Sequence, residues 1–357
     1  MVSIIVPLYN KAPYVRRALE SIFAQSYTDV EVIVVDDGST DGGPAIVESF
    51  GNAARLIVQA NAGPGAARNA GIREAHGSLL AFLDADDEWL PGYLERSVAL
   101  LERDPAAASV TSAWVREPPG TSTVPFWQRR GLKSGPCRVD AQTASGLLVA
   151  LLAFAGWSCS TVMRAEVVRR YRFYERGSTY GEDQFLTLKI LLTEPVILNL
   201  EPLAVYHVGA SELNSGTVRP RRVEAFLQDP ASLYEDCPPE LRALLTELLA
   251  ARALKTACVL TYWGQWREGR ALMRRFTAPG AWRLPFFVPA HVAVNPAGTS
   301  AAKAWRFLRR VRSRVQGPGR NLPSVSEAGA PISNDIGAAK PPDPPQVRRA
   351  VRSSGSD

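Results

Sequence analysis

Short apolar runs alternate along the chain with stretches whose apolar residues recur every three or four positions. Residues 2–6 are apolar except for Ser3, the pattern of a strand covered on both faces. Pro13 sits where a first helical turn tolerates it, and Val15, Ala18, Leu19, Ile22 and Phe23 then follow at helical spacing. Further strands are predicted at 30–35, 56–59, 79–83 and 108–114, with helices at 41–50, 65–75 and 91–103 between them. This rhythm predicts an α/β fold, a doubly wound and mostly parallel sheet with flanking helices.

The rhythm breaks over residues 116–143, which are rich in Pro, Gly and polar groups and read as a functional or disordered loop. Regular structure is expected again as a helix over 144–154, a strand at 161–164, a helix over 182–192 and extended chain from 196 to 208. Residues 219–275 read as helical, with Leu241, Leu244, Leu245, Leu248 and Leu249 on one face. From 317 onward there is no aromatic residue and 12 of 41 residues are Gly or Pro, which predicts a disordered tail. The expected organisation is therefore an α/β domain over 1–215, a helical extension over 216–316 and a tail over 317–357.

Composition narrows the function classes. Four scattered cysteines form no C-x-x-C pair, which excludes a disulfide scaffold and suits a reducing compartment. Three histidines disfavour a histidine-built metal centre. The longest apolar run, residues 146–157, falls short of the roughly 20 residues of a bilayer span, and no signal peptide is expected ahead of the first strand. The net charge of +6 is uneven: residues 267–320 hold 12 Lys and Arg against one acid, Glu268, so the preceding body is mildly acidic. No nucleic-acid motif accompanies these bases, and a nucleic-acid partner is not expected.

The polar clusters fall where a parallel sheet gathers its ligands, just beyond the carboxyl ends of strands. The first strand ends in Pro7-Leu-Tyr-Asn10, the second in Asp36-Asp-Gly-Ser-Thr-Asp41, the third in Asn61-Ala-Gly-Pro-Gly65 and the fourth in Asp84-Ala-Asp-Asp87. Carboxylates on alternate residues, as in Asp84-Ala85-Asp86, can face a hydrated divalent cation and ligand hydroxyls together. Such acids also cap helices, here the one beginning near Pro91. The chain has neither a G-x-G-x-x-G after its first strand nor a Walker A sequence, which disfavours a dinucleotide cofactor and a P-loop ATPase.

The segments VSIIVPLYNKAPYVRRALESIFAQSYTDVEVIVVDDGSTDG, NAGPGAARNAGI and LLAFLDADDEWLPGYLE resemble the family 2 inverting glycosyltransferases of GT-A fold, with motif order and spacing kept over residues 2–100. Tyr180-Gly-Glu-Asp-Gln184 resembles the family's E-D motif at the start of an acceptor-side helix. The resemblance implies a donor half over 1–115 and an acceptor half over 116–215. It implies that Pro7, Tyr9 and Asn10 line a nucleobase and ribose pocket, that Asp37 bonds the base, and that Asp84 and Ala85 face the ribose or sugar. Asp86 would bind Mn²⁺ or Mg²⁺, Arg68 would approach the phosphates or pair a neighbouring acid, and Asp183 would be the general base. His207 is a metal-site or structural residue on this reading. Glu182, Trp127 and Trp157 are acceptor-side candidates, with Trp157 also suited to a core and Trp127 favoured because it lies in the 116–143 loop.

The expected activity is a metal-dependent hexosyltransferase moving one sugar from a nucleotide-diphosphate donor, UDP-sugars favoured, to a glycan or lipid-linked acceptor. A non-catalytic sugar-nucleotide scaffold on the same fold is the alternative. Processive relatives carry Q-x-x-R-W and membrane spans, whereas Gln265-Trp-Arg267 has another order. Residues 301–315 place Trp305, Leu308, Val311 and Val315 on one helical stripe among six basic residues. Two roles stay open for it: lying on an anionic membrane, or packing on the acidic body. The expected location is cytoplasmic, with peripheral attachment to the inner face of the membrane on the first of these roles.

Overall fold

The computed structural model of the protein describes residues 1–142, 157–175, 180–210, 222–276 and 287–294. The helix expected over 144–154, the basic stripe over 301–315 and the tail from 317 lie outside the described residues. Strands β1 (Val2–Leu8), β2 (Val30–Asp36), β3 (Arg55–Val58) and β4 (Leu79–Phe82) alternate with helices α1 (Ala12–Phe23), α2 (Gly43–Glu48) and α3 (Pro64–Glu74). There follow β5 (Glu88–Trp89), α4 (Tyr93–Arg103), β6 (Ser109–Glu117), β7 (Thr121–Ser122), α5 (Val124–Arg129) and β8 (Gly135–Cys137). The second half holds β9 (Thr161–Arg164), α6 (Ala165–Tyr171), α7 (Glu182–Thr193) and β10 (Val196–His207). It closes with helices α8 (Ala225–Gln228), α9 (Pro230–Asp236), α10 (Arg242–Tyr262), α11 (Trp266–Arg275) and α12 (Phe287–Val294).

The sheet runs in the order β3-β2-β1-β4-β9-β6-β10-β5, with β7 on β6 and β8 on β10. The β3-β2-β1-β4 block is parallel throughout, and β6 is parallel to β10. β9 enters between β4 and β6 antiparallel to both. The strand expected fifth in a simple βαβ progression, β6, therefore stands one place further out. Residues 116–143 are not a bare loop: they carry β7, α5 and β8.

Alternate residues of the central strands serve two cores, as a period of two requires. Ile5, Ile33, Val35, Leu80 and Phe82 pack with Ala67 and Ala70 of α3 and with Phe185 and Leu186 of α7. The same cluster continues into Leu245 and Leu248 of α10, so the C-terminal helices share that core with the sheet. On the other face Ile4, Val6, Val32 and Val34 pack with Leu19 of α1 and with Leu94 and Val98 of α4. Among the described residues no helix is long and apolar enough to cross a membrane.

Local chemistry fixes the helix starts that matter for function. Pro13 occupies the first turn of α1, and the Asp41 carboxylate accepts from the Ala12 N–H at 2.8 Å, capping α1 from the β2 loop. α3 begins at Pro64, and its Gly65 has no room for a side chain: a Cβ there would lie 2.0 Å from the Tyr174 carbonyl oxygen. That close approach brings the 173–175 segment against the start of α3.

Candidate active site

The loops after β1 and β2 lock together. Asn10 adopts the left-handed region at φ 51°, which Asn tolerates better than most residues. Its Oδ1 accepts from the Thr40 N–H at 2.8 Å, and its own N–H donates to Ser39 Oγ at 3.0 Å. Pro7 lies within β1, and the Tyr9 side chain stands out at 48% exposure. Asp37 is buried and accepts from Gln59 Nε2 (2.7 Å) and from the N–H groups of Ala62 (2.9 Å) and Gly63 (2.8 Å). A carboxylate offers about four acceptor positions, so three are taken in fastening the turn ahead of α3 and about one is left for a ligand.

The loop after β4 concentrates acids in a confined space. Asp84 keeps 28% of its side chain exposed and holds Arg68 Nη2 at 2.6 Å. Ala85 is buried, so only its backbone can face a ligand. Asp86 Oδ2 accepts from Lys11 Nζ at 2.9 Å, and Lys11 also donates to the Ala210 carbonyl at 2.7 Å. The Asp86 carbonyl accepts from Arg17 Nη2. Asp87 is buried and accepts from the His207 N–H at 2.8 Å. Burial and then Asp84 raise Asp86 above the usual carboxylate range, with Lys11 opposing. Burial, Asp86 and Asp84 push Asp87 well up.

These crowded carboxylates suit a hard divalent cation, whose charge would relieve their mutual repulsion and which prefers oxygen ligands. Ligand atoms of Asp84, Asp87 and Cys159 lie within 4.8 Å of one another. Burial keeps the Cys159 thiol protonated by raising its pKa well above the ordinary value, so the oxygens of the aspartates fit such an ion and the sulfur does not. His207 places Nε2 3.5 Å from Glu88 Oε1, and burial followed by Arg17 lowers its pKa. Its contact with the acids runs through the backbone N–H to Asp87.

Arg68 joins this loop to α7. Its buried guanidinium reaches Asp84 through Nη2 and Glu182 Oε1 through Nη1 at 2.9 Å, and its carbon lies 5.2 Å from the Phe173 ring centroid. Both arms thus serve acids of the chain. Glu182 and Asp183 occupy the first turn of α7, where the helix dipole favours negative charge. Glu182 is tied to Arg68, whereas Asp183 stays partly exposed and accepts from the Gln184 N–H at 2.8 Å. Burial first and Glu182 second push the Asp183 carboxyl up to about 7, against the pull of Arg68. A carboxyl of that strength is matched to taking up and releasing a proton near neutrality.

Of the two tryptophans expected on the acceptor side, one is buried and the other part-exposed. Trp127 is 2% exposed and packs in the core from α5, so it offers no face to an acceptor: the Pro- and Gly-rich surroundings read as loop, yet they fold inward. Trp157 is part-exposed and meets Trp114 at 5.3 Å and Tyr206 at 5.5 Å between ring centroids, both edge to face. It lies just ahead of Cys159, whose Sγ accepts from the Asp84 N–H at 3.2 Å. Lys11, Arg17, Asp87 and Cys159 are site residues that the motif reading missed. Asp87 is signalled by its place in the D-A-D-D run, while Cys159 arrives only through the reversed direction of β9.

Residues 3–157 match the family model Glycosyl transferase family 2. An uncharacterized glycosyltransferase of Nostoc sp. is 43% identical over 105 residues, 28% of this chain and 33% of the relative. The uncharacterized glycosyltransferase YibD of Escherichia coli is 36% identical over 151 residues, 37% of this chain and 44% of the relative. The chain thus spans less than half the length of either. Among solved structures, S. aureus TarS 1–349 superposes with a TM-score of 0.55 at 18% identity, covering 86% of this chain and 91% of that one. That likeness establishes the shared GT-A architecture.

Proposed function

We propose that the chain, whose residues 3–157 match the family model Glycosyl transferase family 2, is a transferase of that family and moves a single sugar from a nucleotide-diphosphate donor to a hydroxyl with inversion. The observation that carries the proposal is the Asp84–Arg68–Glu182 bridge, which sets the acids after β4 and Asp183 on one cluster. On this reading Tyr9, Asn10 and Asp37 shape the donor pocket, and Asp183 takes the proton of the acceptor hydroxyl as it attacks. General-base assistance of this kind contributes roughly 10²–10⁴-fold. One base and one displacement invert the anomeric centre.

Asp84, Asp86 and Asp87 would hold a divalent cation, Mn²⁺ or Mg²⁺, which when bound supplies charge neutralisation for the departing diphosphate. A UDP-sugar is the favoured donor, in keeping with TarS, a protein of this fold that has been solved with UDP-GlcNAc. The proposed acceptor is a glycan or a lipid-linked acceptor, with Trp157 as one wall of its site. A basic region over 267–320 and the exposed Val288 and Val292 of α12 support peripheral contact with an anionic membrane. Flotation of the full chain with anionic vesicles, reversed by salt, tests that contact, and failure to float refutes it.

A hydrolysis screen across UDP-, GDP- and dTDP-sugars with Mn²⁺ tests the activity. One donor class should be turned over, with loss in EDTA, recovery on adding Mn²⁺ or Mg²⁺, and loss in Asp86→Asn. Full turnover in EDTA would refute the metal role. Inertness toward every donor, with acceptor mixtures supplied, would refute sugar transfer.

A further inference from the structure

The C-terminal helices grip the α7 turn through a buried carboxylate that the site does not use. Glu224, just ahead of α8, is 5% exposed at its side chain and receives Arg252 Nη2 at 3.0 Å. Thr256 Oγ1 lies 2.9 Å from each of its carboxylate oxygens. Arg252 and Thr256 are four residues apart on α10 and so share one face of it. The carboxylate thus has three close polar contacts, all from one helix.

The body of Glu224 presses on the residue that starts α7. Gly181 has φ +76°, and a Cβ built on it would lie 3.2 Å from Glu224 Cβ, so Gly181 is demanded both by conformation and by this neighbour. The Ala225 N–H donates to the Tyr180 carbonyl at 3.0 Å. Further along α7, the buried Lys189 reaches Asp236 Oδ2 at 2.6 Å and Ser232 Oγ at 3.0 Å, both on α9. On its inner side the same turn is tied through Glu182 to Arg68. Asp183 itself makes no side-chain contact with α8, α9 or α10 among its described hydrogen bonds and ion pairs. Its position is inherited from the turn.

We propose that Glu224, held by Arg252 and Thr256, is a positioning residue that fixes the Tyr180–Gly181 turn and with it the reach of Asp183 to the acceptor hydroxyl. The inference rests on the general-base reading of Asp183. It makes the C-terminal helical block part of the catalytic apparatus, because α10 holds the turn from behind.

Two variants test it. Glu224→Gln keeps size and acceptor geometry but loses the charge that holds Arg252, and Thr256→Val removes only the hydroxyl contacts. Hydrogen exchange of the full-length protein should show amides 182–187 at the start of α7 exchanging about tenfold faster in Glu224→Gln, with those of α3 unchanged. In the donor-hydrolysis assay the turnover number, normalised to folded protein, should fall about tenfold in Glu224→Gln and less in Thr256→Val, with the donor KM within about twofold. In an Asp183→Asn background Glu224→Gln should have no further effect, since it acts through Asp183. Multiplicative losses, or unchanged exchange and turnover in both variants, overturn the positioning role while leaving the base assignment standing. Full turnover in Asp183→Asn alone overturns the base assignment, and this inference with it.

Discussion

Replacing Arg68 by Met tests the bridge on which the site is built. The change keeps an unbranched side chain of similar reach and deletes the guanidinium that meets Asp84 at 2.6 Å and Glu182 at 2.9 Å. The two acids differ in what they lose. The Glu182 side chain is 9% exposed and would be left as an uncompensated buried charge, a situation that destabilises proteins by about 3–5 kcal/mol. Asp84, at 28% exposure, recovers hydration, so its share stays near the surface figure of about 1 kcal/mol or below. Loss of the cation–π contact with Phe173 adds roughly 0.5–1 kcal/mol. We therefore expect a net loss of about 4 kcal/mol, read by urea unfolding followed through tryptophan fluorescence. Arg68→Met combined with Glu182→Met removes the stranded charge and should recover about half of that loss. A single-variant loss under about 1 kcal/mol, or a double variant no more stable than the single, would refute the view that Arg68 is needed chiefly as the shared counterion of the two acids.

Asp183→Asn should lower transfer by roughly 10²–10⁴ with donor affinity retained, and in the parent enzyme turnover should fall as pH drops through about 7, because the base acts as a carboxylate. The same raised pKa means that folding takes up a proton between the usual carboxylate range and about 7, so stability falls as pH rises through that window and Asp183→Asn should be the more stable form at pH 8. A pH–rate profile without that acidic limb, or a variant less stable at pH 8, would contradict the assignment. Trp127→Ala should destabilise the fold by about 3–5 kcal/mol, as expected for a buried aromatic, and Trp157→Ala by clearly less. Equal losses in urea unfolding would show that both rings are core residues.

Periodicity alone read the parallel block almost residue by residue, because β1, β2 and β4 are covered on both faces and carry continuous apolar runs. The acids at their ends were equally legible, since polar groups gather where parallel strands stop. β9 was located at 161–164, but its direction was not: alternation is the same whichever way a strand points. That direction matters, because an antiparallel strand brings its beginning, Trp157 to Cys159, to the edge where the other strands end. The Arg68–Glu182 pair joins residues far apart in sequence, and no local pattern announces such a pair. Trp127 misled for the opposite reason, as the Pro- and Gly-rich composition around it signals turns while its own burial depends on a tertiary partner.

The charges at the cluster also bear on the order of binding. Lys11 is set against Asp86, and Arg68 is shared by Asp84 and Glu182. Arg17 divides itself between the Asp86 carbonyl and Glu88, at 3.6 Å from the latter. Asp87 accepts from the His207 N–H, and no arginine or lysine is paired to it among the described ion pairs. The acids therefore outnumber their cations before any ligand arrives. A nucleotide diphosphate adds further negative charge, and both arms of Arg68 are already engaged by acids of the chain. Repulsion in such a confined, partly dehydrated space is far stronger than in water. On the proposed function, a donor enters this site together with its divalent cation, and the acids after β4 serve the diphosphate by holding that cation.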